Sequence, residues 1–192
     1  MRCGRHDLRI LPEVTDPGVG DFCMTGIEQG DFIPPAAVLH AEAAERLVAH
    51  ATACYPRECC GLLFGRTGTD GVPEILSVLA ERNTASDGGL KSFAADPLSV
   101  FLHEQEMARR GQRLLGCYHS HPDVPAVLSD ADMQYMIPGM LYLVAAVFAG
   151  GSREPVIRWR LWQRRDAASP PEEGSLRRLA REDDALLPWS RE

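Results

Sequence analysis

The longest apolar run in the chain, around Leu141–Ala149, stops well short of the ~18 residues needed to cross a bilayer. It has the length of a strand instead, and a second run, CCGLLF at 59–64, reads the same way. Between such runs lie segments with helical spacing. Pro34–Pro35 open an alanine-rich helix that ends before Pro56, since proline disfavours helical geometry at Tyr55. EILSVLAE makes a second strand, linked to the first by the turn GRTGTDG.

Asp96–Pro97 supply an N-cap and a first-turn proline for a helix with Leu98, Phe101 and Leu102 on one face, and Gly111 stops it. Leu114–Tyr118 is a short strand, Asp130–Ile137 a brief helix, and MLYLVAAVFA and PVIRWRLW are the final strands. In the last of these Val156, Arg158 and Arg160 alternate with Ile157, Trp159 and Leu161, the pattern of a strand exposed on one side. The order predicts an α/β protein, a sheet with helices packed on it. Residues 1–33 lack a sustained apolar period and read as an extension. Residues 166–192 read as a polar tail, with SLRRLAREDDALL able to form a short charged helix, which leaves one domain at about 34–165.

Composition narrows the partners. Twenty Lys and Arg stand against 27 Asp and Glu, a formal charge of −7, opposite to a nucleic-acid footprint. The six cysteines show no framework spacing and no Cys-x-x-Cys pair, which fits a reducing cytoplasm. Cys59, Cys60 and Cys117 sit in apolar runs and are expected to pack as small hydrophobes. MRCGRHDLRI has no apolar stretch behind it, so neither a secretory signal nor a membrane partner is expected.

Chemistry enters at residue 119. His119 and His121 flank Ser120 at the end of a predicted strand, where residues i and i+2 face the same way and both imidazoles can reach one ion. A following helix can return the carboxylate of Asp132. Two His and one Asp leave a fourth tetrahedral position open, as in a catalytic rather than a structural zinc site. Ser120 should face away from the ion.

The pattern His119-x-His121-x7-Ser129-x2-Asp132 resembles the signature of the JAMM, or MPN+, metalloprotease family, and the resemblance extends over roughly residues 34–165. Glu58 directly precedes CCGLLFG, as the family's glutamate precedes a Cys/Met-Gly-hydrophobic strand. Asn83, Phe93 with Asp96–Pro97, and Pro138–Gly139 before an apolar strand agree as well. Leu128 departs from the proline that many members carry before the serine, which affects only the stiffness of the loop.

The resemblance implies an MPN/JAB fold, a central mixed curved β-sheet flanked by helices, similar to that of the cytidine deaminases. It implies a compact prokaryotic-type zinc peptidase or isopeptidase. One Zn²⁺ would be held by His119, His121 and Asp132, with Glu58 as general base and Ser129 as a donor to the developing oxyanion; Ser129 also fits an N-cap. The implied substrate is a ubiquitin-like protein or a sulfur carrier of the ThiS/MoaD type with a Gly-Gly tail, either trimmed at its C-terminus or released from conjugates. A metal-free MPN scaffold and a RadC-like, DNA-associated protein are the other classes. The acidic balance suggests a more basic partner surface outside the cleft, and Trp159 and Trp162 offer a possible homodimer face.

Overall fold

The computed structural model describes residues 35–83, 96–150 and 155–179. The expected extension 1–33, Pro34 and Phe93 lie outside them. Among the described residues seven strands and three helices follow in the order β1 (Ala36–Leu39), α1 (Ala41–Cys54), β2 (Cys60–Thr67), β3 (Pro73–Glu81), α2 (Pro97–Arg109), β4 (Arg113–Pro122), α3 (Asp130–Tyr135), β5 (Leu141–Phe148), β6 (Val156–Gln163) and β7 (Glu172–Arg178). The strand order is β1-β3-β2-β4-β5-β6-β7, and β1 also pairs with β7, so the sheet returns on itself. Parallel pairs β1/β3, β1/β7 and β4/β5 mix with antiparallel ones.

Two strands, β1 and β7, are absent from the sequence reading. The first predicted helix begins later than Pro35, because Ala36–Leu39 form β1 and the helix starts at Ala41. Ala37, Val38 and Leu39 are each at most 4% exposed. Burial between two strand neighbours overrides alanine's helical preference there. In the C-terminal stretch, where a charged helix was expected from Ser175, residues 172–178 form β7 instead. Its half-buried and exposed residues alternate strictly, and Ser175–Arg178 pair with Ala36–Leu39. The two unexpected strands are therefore each other's partners.

Alternation divides the sheet into two faces. On one, Cys59, Leu63, Leu115, Tyr118, Leu143, Ala145 and Leu161 pack beneath Ala43, Ala44, Leu47 and Ala51 of α1. Cys59 and Cys60 are 1% exposed, and burial pushes both thiols, and that of Cys117, up to about 12, as expected of packing rather than reactive cysteines. On the other face Leu62, Phe64 and Met107 form one cluster, and Ala126, Leu128, Met136, Tyr142, Val144 and Ala146 another. Trp159 packs against the α1-side cluster and Trp162 against the second, so both serve the inside of the molecule.

Helix α2 is capped as predicted, with the Asp96 side chain accepting from the Leu98 N–H. Its packing face differs from the expected one. Met107 is buried and Val100 and His103 half-buried, whereas Leu98, Phe101 and Leu102 are more than half exposed. His103 Nδ1 meets the buried Glu81 carboxylate at 2.7 Å, so a polar contact helps choose the inward side.

Gly61 shows why the CCGLLF run needs a glycine. It pairs with Tyr118 across β2 and β4, and a Cβ there would overlap both the Tyr118 ring and the Leu79 carbonyl. The ring is held by a 2.7 Å hydrogen bond between its hydroxyl and His50 Nδ1, so it cannot swing aside freely. Gly61→Ala is expected to cost about 1–3 kcal/mol, measured as a lower midpoint in urea at unchanged slope. An unchanged midpoint would show that the ring has room to move.

Candidate metal centre

The strand carrying His119 and His121 runs to Pro122, so both imidazoles sit on β4 itself, between β2 and β5. Alternation sends both to the face away from α1. There the chain leaves β4, crosses residues 123–128 and enters α3, whose third residue is Asp132. Ala126 and Leu128 anchor this crossing by packing on Val144 and Ala146, and Trp162 Nε1 donates to the Ala126 carbonyl at 3.4 Å.

Ser129 ends the crossing as the N-cap of α3. Its Oγ accepts from the Asp132 N–H at 3.1 Å, while the Ser129 N–H and Oγ–H both donate to Asp132 Oδ2 at 2.7 Å. This reciprocal capping box fixes the carboxylate as well as the helix start. The N-cap expectation for Ser129 is met in full.

The result is one compact donor set. One ligand atom from each of His119, His121 and Asp132 lies within 4.8 Å of the others. The two Nε2 atoms are 3.0 Å apart, with Asp132 oxygens at 3.5 Å from His119 Nε2 and 3.7 Å from His121 Nε2. Tetrahedral ligands at about 2.0–2.1 Å from a zinc ion stand roughly 3.3 Å from one another, so the spacing fits such an ion. His121 Nδ1 donates to the Pro125 carbonyl at 3.2 Å. Because a carbonyl only accepts, the proton of a neutral His121 sits on Nδ1 and Nε2 keeps its lone pair for a cation.

Electrostatics agree with this geometry. Burial opposes ionisation of Asp132, but the two imidazoles and Ser129 outweigh it and hold the carboxyl well below the usual carboxylate range. Burial lowers the proton affinity of His119 against the pull of Asp132. Burial acts on His121 in the same direction but is outweighed there by Asp132, the Pro125 carbonyl and Glu58, and the net shift is upward.

Glu58 stands just before β2. The register pairs Cys60 with His119, and the Ser120 N–H donates to the Cys59 carbonyl at 3.0 Å, so continuing the same row sets Glu58 opposite His121. Its charge is felt there, yet it lies outside the three-residue donor set. Ser120 points away from the ligands, as alternation predicts. Its Oγ accepts from the Cys59 N–H at 2.8 Å, a link that no spacing in the sequence announces.

A family profile described as prokaryotic homologs of the JAB domain matches residues 40–163. Over 90 residues the chain is 33% identical to the "Probable TtuB-protein conjugate cleaving protease" of Thermus thermophilus. That alignment spans 47% of this chain and 56% of the relative. Among solved structures, protein DSY2949 from Desulfitobacterium hafniense superposes with a TM-score of 0.61 at 26% identity, over 77% of this chain and 95% of that one. A Salinibacter ruber protein shares the fold, with a TM-score of 0.55 at 24% identity over 78% and 94% of the two chains.

Proposed function

Since this chain belongs to the family of prokaryotic homologs of the JAB domain, we propose that it is a zinc-dependent peptidase that hydrolyses the bond following the C-terminal Gly-Gly of a ubiquitin-like or sulfur-carrier protein. The convergence of His119, His121 and Asp132 on one point, with Glu58 beside His121, is the observation that supports it. The ion, when bound, supplies Lewis acidity to the scissile carbonyl and makes water more acidic.

The chain's own groups do the rest. His119 and His121 would hold the ion through Nε2, and Asp132 through its carboxylate. Glu58 takes a proton from the attacking water as the new carbon–oxygen bond forms, then delivers it to the leaving amine as the carbon–nitrogen bond breaks. Ser129 donates its hydroxyl to the developing oxyanion. That hydroxyl must first turn away from Asp132, whose Oδ2 still keeps the Ser129 N–H. A glycine tail suits such a site because main-chain contacts bind it and the absence of side chains lets it enter a narrow cleft.

Release from conjugates is favoured over trimming of a fused tail by the name of the Thermus relative, a conjugate cleaving protease. Incubation of the protein with a carrier of the ThiS/MoaD type, once fused head-to-tail and once isopeptide-linked to lysine, tests both versions. Mass spectrometry is expected to find the cut directly after Gly-Gly, faster on the linked form. Cleavage elsewhere, or of neither form by the zinc-loaded protein, overturns the reading.

A further inference from the structure

We propose that Ser120 and Asn83 are positioning residues that hold Glu58 over the metal centre by clamping one peptide group, an inference that rests on the reading of Glu58 as the base. The peptide joining Glu58 to Cys59 is engaged at both poles. Its carbonyl accepts from Asn83 Nδ2 at 3.4 Å, and its N–H donates to Ser120 Oγ at 2.8 Å. The two side chains come from different elements, Ser120 from the centre of the sheet and Asn83 from just beyond β3.

A regular antiparallel row would send the Cys59 N–H to the Ser120 carbonyl. Here the hydroxyl stands in for that carbonyl, while the Ser120 N–H still donates to the Cys59 carbonyl at 3.0 Å. The substitution coincides with the start of β2, which the ladder enters only at Cys60. Glu58 thus lies just before the regular strand, and the clamp holds its backbone in the row where that pairing begins.

The placement of Ser120 gives the clamp its consequence. It is 1% exposed and sits between His119 and His121 on a strand paired on both sides. One residue step of β4 therefore fixes the ligands on one face and the tether of the base on the other. The separation between the ligands and the backbone of Glu58 is set by a rigid strand, and catalysis is sensitive to such placement, a misplacement of about 1 Å being able to cost ~10²-fold. Loss of the Ser120 hydroxyl leaves both imidazoles and Asp132 with every partner named above, but removes the acceptor of the Cys59 N–H.

The test compares Ser120→Ala, Asn83→Ala and Glu58→Gln with the unaltered chain on a Gly-Gly carrier protein isopeptide-linked to lysine. It is read by kcat, KM, zinc content and NMR amide exchange of Cys59 in the metal-free and metal-loaded protein. Ser120→Ala is expected to keep its zinc and a KM within about twofold, to lose ~10–100-fold in kcat, and to exchange the Cys59 amide faster with or without metal. Asn83→Ala shifts kcat in the same direction by less, and because Asn83 lies outside the sheet it carries the comparison if Ser120→Ala does not fold. A kcat within about twofold of the unaltered chain, where Glu58→Gln is inactive, overturns the clamp. Loss of zinc overturns it too, because the pair would then support the ligands. An active Glu58→Gln overturns the base assignment itself and is recognised independently of the Ser120 result.

Discussion

Glu58→Gln is expected to leave a protein that folds and binds zinc as before while hydrolysis falls by ~10²–10⁴, the usual worth of a positioned general base. Glutamine keeps the size and most of the hydrogen bonding of the side chain but cannot accept a proton from water. The three donors that would hold the ion are His119, His121 and Asp132, and the substitution touches none of them. Hydrolysis rate and zinc content on one preparation decide it. A variant that turns over at the original rate removes Glu58 from the mechanism, and a variant that loses its zinc makes Glu58 part of the metal site.

Asp132→Asn is expected to have the opposite signature, with metal and activity lost together. The carboxylate brings the only negative charge in the donor set and is kept ionised by the groups around it. Residues one step behind a ligand already contribute ~10–100-fold to metal affinity, so removing the anionic ligand should exceed ~100-fold. The amide oxygen of asparagine can still accept from the Ser129 N–H, so α3 stays capped and the fold is not expected to suffer. Zinc retained after dialysis against a competing chelator is the readout. Full occupancy in the variant would show that the ion sits elsewhere.

How far the sequence foretold this molecule varies by element. The middle of the chain, from CCGLLF to Trp162, was legible because its strands are short and mostly apolar and its helices α2 and α3 begin on clear caps. Strand β1 was hidden because AAVL carries no alternation and adjoins a helix of similar composition. Strand β7 was hidden for the converse reason, since EEGSLRR is charged and its one-sided burial exists only once β1 lies alongside. Tertiary pairing decided both. The inward side of α2 was misjudged because His103 is polar, and its contact with Glu81 depends on β3.

The site divides along the same line. His119 and His121 were readable from strand alternation, and Asp132 from a helix expected to return to them. Glu58, far away in sequence, entered only through the resemblance to the JAMM family, and the pairing of β2 with β4 gives it a physical address. The Ser120–Cys59 bond could not be foreseen, because it depends on the exact register of two strands and on a hydroxyl replacing a carbonyl. Charge was informative only in bulk. The −7 balance disfavours nucleic acid but says nothing about where Arg158 and Arg160 lie, exposed on the outward side of β6.

The most direct measurement is the zinc content of the purified protein, taken by elemental analysis on a sample assayed for cleavage of a Gly-Gly carrier substrate before chelation, after it, and after zinc is restored. The expected result is one zinc per chain, loss of cleavage with the metal, and recovery on its return. Cleavage that persists in protein stripped of metal would contradict the assignment of His119, His121 and Asp132 as the catalytic metal site.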